Sequence, residues 1–142
     1  MAGLFFDTNV ILYAARTKLE GVDAQKRPIA LDLIGHYDFS TSGQVLAEFY
    51  YNAVKDGPYK LPVEEADEWL ERLSIQLCVA IDGKLVAAGA DLARRYKISY
   101  WDGAIIAAAH EADADLLYTE DLNDGQRYGS VTAINPFKNL PN

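Results

Sequence analysis

Four carboxylates carry the chemistry this sequence can support. Asp7 directly follows a short apolar run, Gly3 to Phe6, and Asp121 stands two residues after Thr119, at the end of a second run, Leu116 to Thr119. Asp102 begins an alanine-rich helical stretch, and Glu48 lies in the second turn of another helical stretch. In an open α/β sheet, ligands bind beyond the carboxyl ends of the strands, so acids placed just after strands can share one rim. Grouped carboxylates repel one another, and keeping several ionised needs compensation. A hard divalent cation supplies it: Mg²⁺ takes oxygen ligands, keeps several waters and borrows ligands from phosphate. Such a site polarises a phosphoryl oxygen and activates water.

Each acid also has a plain structural reading. Asp7 can cap the helix that follows it. Asp102 lies three residues after Ser99, in a Ser-x-x-Asp capping pattern. Asp121 sits among Glu120, Asp124 and other polar residues, as a solvated loop would. Glu48 lies off the apolar stripe of its own helix (Val45, Leu46, Phe49, Tyr50, Ala53), which taken alone favours a solvent-facing side chain.

Other chemistries find less support. Ser42 and Ser99 have no histidine in a nucleophile-like pattern. The two histidines, His36 and His110, exclude a multi-histidine metal site and read as surface and structural residues. Neither a P-loop nor a Gly-x-Gly-x-x-Gly turn occurs. The single cysteine, Cys78, allows no intramolecular disulfide and reads as core. Arg16, Arg94, Arg95 and Arg127 are candidate phosphate contacts, with solvated charge as their default role.

The elements that must position the acids follow from periodicity and punctuation. Gly3–Phe6 reads as a buried strand, then Asp7-Thr8-Asn9 as a turn into a helix through Ala15. Val22–Ile34 is helical, 38–41 extended, and Ser42–Lys55 helical until Asp56-Gly57-Pro58 stops it. Pro62 opens a helix continuing over Val63–Leu73. Ile75–Val79 is the next strand, followed by helices over Asp82–Tyr96 and Trp101–Ala112. Leu116–Thr119 is a strand, Glu120–Gly129 a loop, and Val131–Ile134 the last strand. Short apolar strands alternating with longer helices predict an α/β fold, with a mostly parallel central sheet covered on both faces in three α/β/α layers.

At 142 residues the chain fits a single domain, 1–142, with no repeat or linker. Half the residues are apolar and 24% are charged, which argues against disorder. The single cysteine, Cys78, leads to the expectation of a cytoplasmic location; no apolar run reaches the ~18 residues of a membrane span, and the N-terminal run meets Asp7 too soon for a signal peptide. The net charge is −8 and the pI is near 4.6, opposite in sign to most non-specific nucleic-acid binders. Taken alone, that charge favours a soluble enzyme, a divalent-cation binder or a protein with a basic partner.

Four segments in order carry a family resemblance: Asp7-Thr8-Asn9, Val45-Leu46-Ala47-Glu48-Phe49-Tyr50, Tyr100-Trp101-Asp102-Gly103-Ala104-Ile105-Ile106, and Leu117-Tyr118-Thr119-Glu120-Asp121-Leu122. Together they strongly resemble PIN domains, and among these the VapC-like toxin ribonucleases of toxin–antitoxin pairs, from about Leu4 to Phe137. The resemblance implies that Asp7, Glu48, Asp102 and Asp121 form the acidic site, with Thr8, Asn9 and Thr119 as hydroxyl or amide supports. It restores Glu48, which periodicity leaves doubtful. One departure is Gly43, where relatives often carry threonine; this loosens the expected helix start but removes no carboxylate.

The resemblance further implies Mg²⁺- or Mn²⁺-dependent cleavage of single-stranded or looped RNA. One ion would lie on Asp7 and Asp102, with Glu48 and Asp121 binding a second or positioning waters. A cognate antitoxin is expected to lay a basic segment across the acidic cleft, which suits the −8 charge. A homodimer is expected as the working unit, with Tyr50, Tyr51, Tyr59 and Trp69 as aromatic surface candidates. A housekeeping PIN nuclease without an antitoxin, and a non-catalytic PIN scaffold or RNA-binding module, are the alternatives. A receiver-like phosphoacceptor lacks its paired acids and its lysine, since Asn135 precedes Pro136, and a dehalogenase-type phosphatase lacks an Asp where Asn9 stands.

Overall fold

The computed structural model describes residues 3–140; Met1, Ala2, Pro141 and Asn142 of the expected 1–142 domain lie outside the described residues. In chain order the elements are β1 (Leu4–Phe6), α1 (Thr8–Ala15), α2 (Gly21–His36), β2 (Ser40–Ser42), α3 (Gly43–Val54), α4 (Val63–Ile75), β3 (Leu77–Val79), α5 (Gly83–Tyr96), α6 (Tyr100–Glu111), β4 (Leu116–Tyr118), β5 (Arg127–Tyr128) and β6 (Val131–Ile134).

The strands form one sheet in the order β3-β2-β1-β4-β6-β5. All neighbours are parallel except β5 and β6. The chain steps from β1 outward to β2 and β3, then crosses back to β4 on the other side of β1. Crossovers of one hand running in opposite directions place their helices on opposite faces of the sheet. Accordingly, α1 to α4 pack among themselves, while α5 packs on α6 and α6 on the strands. Strand order reverses between β1 and β4, so a crevice opens at the carboxyl ends of these two strands.

Consecutive strand side chains point to opposite faces, and a central strand must bury both. Phe5 and Phe6 are both fully buried. Phe6 stacks on Phe39 at 4.5 Å between ring centroids and meets the edge of Tyr118 at 5.6 Å. Burying such a ring contributes about 1.5–3 kcal/mol, so β1 is firmly placed beneath Asp7. On the other face, α6 is buried continuously from Gly103 to Ala109, as a helix wedged between a sheet and a second helix must be. Its small residues let α5 approach backbone to backbone. A Cβ on Gly89 would stand 2.9 Å from the Ala104 Cα, and one on Gly103 would stand 2.9 Å from the Ala93 nitrogen.

Three sequence expectations need correction. The strand expected over Ile75–Val79 is shorter, because α4 runs on through Ile75 and only Leu77–Val79 pairs with β2. That strand is at the sheet edge, so Cys78 is partly exposed rather than core. The loop expected over Glu120–Gly129 contains β5, whose Tyr128 is buried against Tyr96. In addition, Pro62 caps α4 from just outside the helix. The helix start at Gly43 is not loosened, since Ser42 Oγ accepts from the Val45 amide at 3.2 Å.

Candidate functional site

Asp7 sits at the junction of β1 and α1, where the last strand residue turns directly into a helix. Its extended backbone makes it the N-cap of α1, with Oδ1 accepting from the Thr8 amide at 2.7 Å. Its own amide bonds to the Tyr118 carbonyl at 3.0 Å, which extends the β1–β4 ladder by one residue. The capping role is therefore real, and it uses only one carboxylate oxygen. The other, Oδ2, accepts from the Thr119 hydroxyl at 2.7 Å and from the Asn9 amide at 3.4 Å.

The supports link Asp7 to two more acids. The Asn9 side-chain amide also reaches Oδ2 of Asp121 at 3.2 Å, and Thr119 Oγ1 accepts from the Asp121 amide at 3.1 Å. The Thr8 hydroxyl donates to Oε2 of Glu48 at 3.2 Å. Glu48 thus faces the start of α1 instead of open solvent. Helical periodicity misleads here because α3 has two occupied faces: an apolar one on the core and a polar one on the crevice. Asp102 lies in the first turn of α6, where the Ser99 hydroxyl accepts from its amide at 3.1 Å. The expected cap forms, and among the described residues the Asp102 carboxylate has no hydrogen-bond partner.

Electrostatics join the four acids. Asp7 is 6% exposed, and burial pushes its carboxyl up to about 7. The hydrogen bonds from Thr119 and Thr8 resist that rise, and the charges of Asp121 and Glu48 add to it. Asp121 is also raised, first by lost hydration and then by the charges of Asp102 and Glu120, against the Asn9 bond. Among the described residues none of the four is paired with a lysine or arginine. Asn9 Oδ1 is buried without a hydrogen-bond partner beside them.

These observations fit a hard divalent cation: the donors are all oxygen, the charges lack a counter-ion, and a buried amide oxygen is unsatisfied. Among the described residues, however, no three His, Cys, Asp or Glu side chains converge closely enough to hold an ion directly. Like-charged carboxylates stand apart, and Glu48 and Asp121 each turn onto a neutral donor. The arrangement suits an ion that keeps part of its water shell.

Two features escape the sequence reading. Gln44 donates to Oε1 of Glu48 at 3.1 Å and to the Trp101 carbonyl at 3.4 Å, bridging α3 and α6 at the crevice mouth. Its position four residues before Glu48 on one helix face was the available signal. Beyond it lies an apolar groove of about 620 Å³ between α3, α5 and α6, with Ala47, Ile81, Val86 and Trp101 on its walls. Trp101 is 63% exposed there. The proposed phosphate contacts are partly engaged elsewhere: Arg16 donates to the Asn52 carbonyl at 3.2 Å, and Arg94 pairs with Asp91. Of the aromatic surface candidates, Tyr51 is exposed, while Tyr50 and Trp69 pack against the core.

The model of the PIN domain family matches residues 4–127. No curated protein matches the chain. Among solved structures, the chain is similar to a VapC toxin of Mycobacterium tuberculosis described as cleaving the sarcin-ricin loop, at 17% identity and a TM-score of 0.65, over 84% of this chain and 90% of that one. It is also similar to a toxin–antitoxin complex from Klebsiella pneumoniae, at 18% identity and a TM-score of 0.68, over 94% and 98% of the two chains. A third similar structure is the VapBC complex of Rickettsia felis bound to a fragment of its promoter DNA, at 18% identity and a TM-score of 0.61, over 92% and 96%. At these identities the likeness shows a shared fold.

Proposed function

The chain belongs to the PIN domain family, and on that premise we propose that it is a metal-dependent endoribonuclease, the toxin of a toxin–antitoxin pair. One observation carries this reading. A buried aspartate at the strand-order reversal is linked through Thr8, Asn9 and Thr119 to Glu48 and Asp121, and among the described residues no cationic side chain pairs with the group. The similarity of the fold to a VapC toxin and to toxin–antitoxin complexes supports the toxin role.

In this reading Asp7 and Asp102 hold Mg²⁺ or Mn²⁺, while Glu48 and Asp121 bind a second ion or orient waters. A bound divalent cation supplies Lewis-acid polarisation of the scissile phosphate and lowers the pKa of water. The Thr119 hydroxyl and the Thr8 amide favour the ionised form of Asp7 against its burial and fix its direction. Asn9 holds Asp121 towards Asp7, and Gln44 holds Glu48 at the mouth. The acids exclude free phosphodiester unless a cation is present, which makes cleavage strictly metal-dependent. The substrate is single-stranded or looped RNA, whose exposed backbone can enter an open crevice.

The partner is an antitoxin with a basic and apolar segment. Its apolar part lies in the groove walled by Ile81, Val86 and Trp101, and a lysine or arginine reaches the acids. The −8 charge steers such a segment. The working unit is a homodimer in the cytoplasm, and among the described residues no helix is long and apolar enough to cross a membrane. Expression of this chain alone should arrest growth, and co-expression of the protein encoded beside it should relieve the arrest. Growth unaffected by the chain would remove the toxin role and favour a housekeeping nuclease.

A further inference from the structure

We propose that Lys26 and Tyr13 are positioning residues that anchor Glu120 and so set the Asp121 carboxylate in the acidic crevice; this rests on the nuclease reading above. Thr119, Glu120 and Asp121 alternate in direction. Thr119 and Asp121 turn towards Asp7 and Asn9. Glu120 turns the other way, and both its oxygens are taken. Oε1 accepts from the Tyr13 hydroxyl at 2.7 Å, and Oε2 accepts from Lys26 Nζ at 2.9 Å. Lys26 also donates to the Tyr13 hydroxyl at 3.1 Å, and Asp23, three residues earlier on α2, lies 3.5 Å from the same ammonium.

The network is enclosed. The Lys26 and Glu120 side chains are 16% and 23% exposed. The ammonium lies 4.7 Å from the Tyr13 ring centroid and 5.6 Å from that of Phe137, and Tyr13 meets Phe137 edge-on at 5.2 Å. A half-buried charged pair with its remaining donors and acceptors satisfied holds one geometry firmly. Glu120 is therefore committed to α1 and α2, and only its charge still acts on Asp121. Asp121 itself is exposed, and Asn9 is the side chain that holds its carboxylate. The backbone that presents that carboxylate to Asn9 is held by the two residues before it: Thr119, tied to Asp7, and Glu120, tied to Lys26 and Tyr13. Outer residues that orient metal ligands typically change metal affinity by roughly 10–100-fold when removed.

The test compares metal-free wild type with Lys26→Met, Lys26→Arg and Tyr13→Phe. It measures Mn²⁺ affinity by calorimetry, amide hydrogen exchange over residues 118–123, and melting temperature. Lys26→Met should weaken Mn²⁺ binding about tenfold, the low end for such outer residues, and speed exchange at Thr119 and Asp121. Lys26→Arg should restore both. Tyr13→Phe, which keeps the ring and deletes one donor, should shift both in the same direction by less. Lower melting temperatures with unchanged exchange and unchanged Mn²⁺ affinity would overturn the proposal and leave a purely structural ion pair. Wild-type protein that binds no Mn²⁺ would overturn the nuclease reading, and the exchange comparison would still uphold or overturn the positional claim.

Discussion

Thr119 donates its hydroxyl to Oδ2 of Asp7 over 2.7 Å, across 112 positions of sequence. The bond joins the ends of β4 and β1 where the strand order reverses. It favours the ionised form of a carboxyl that burial otherwise drives towards neutrality. Thr119→Val keeps the shape and removes the donor. Mn²⁺ affinity at neutral pH should fall roughly 10–100-fold, as for other outer residues of metal sites, and calorimetry would show it. Unchanged affinity would mean that Thr119 serves packing alone.

The raised Asp7 carboxyl makes stability depend on pH in a definite direction. Unfolded, the group ionises near its ordinary value of 3.8; folded and metal-free, it ionises at about 7. Between those values the unfolded state has lost the proton that the folded state keeps, so stability falls as pH rises and levels off above about 7. Asp7→Asn still caps α1 and removes this penalty. With chelator present, the variant should gain stability over wild type progressively from pH 4 to 7, by at most about 4 kcal/mol. Urea melts across that range would read it. A difference that stays flat with pH would contradict the assigned cause.

Gly103 follows Asp102 and lets α6 meet α5. A Cβ there would press on backbone, 2.9 Å from the Ala93 nitrogen. Gly103→Ala should cost about 1–3 kcal/mol or more and displace the first turn of α6, lowering cleavage as well. Gly35, in α2, faces open space, so Gly35→Ala should be neutral or stabilising by up to about 1 kcal/mol. Denaturant titration of the pair separates close packing from helix propensity.

Much of this was legible in the sequence, for identifiable reasons. Apolar runs closed by Asp7 and Thr119 mark strand ends, and a mostly parallel sheet follows from the alternating pattern. What periodicity could not give was the direction of Glu48, because a helix wheel distinguishes core from surface and not crevice from surface. Lys26 reads locally as an ordinary helix pair with Asp23, and its link to Glu120 was hidden because that partner lies 94 positions away. The short pairing of Arg127–Tyr128 with β6 was hidden by its polar, glycine-flanked surroundings. Cys78 looked buried because an edge strand and a central one share the same apolar composition.

A basic partner segment and Mg²⁺ would satisfy the same carboxylates, so each should weaken the other's binding by one common factor. Titrating the neighbouring gene's product into this protein with and without saturating Mg²⁺, at matched ionic strength, measures that factor. Equal affinities would show that the partner binds away from the acids.

The central claim is that these acids cut RNA by way of a divalent cation. The most direct measurement incubates purified, partner-free protein with a pool of structured RNA and maps the ends produced. The account predicts discrete cleavage with Mg²⁺ or Mn²⁺, none with chelator, and a loss on the order of 10²–10³ or more in folded Asp7→Asn, as when one stabilising group is removed from a catalytic site. Cleavage that persists in chelator, or that survives Asp7→Asn undiminished, would contradict it.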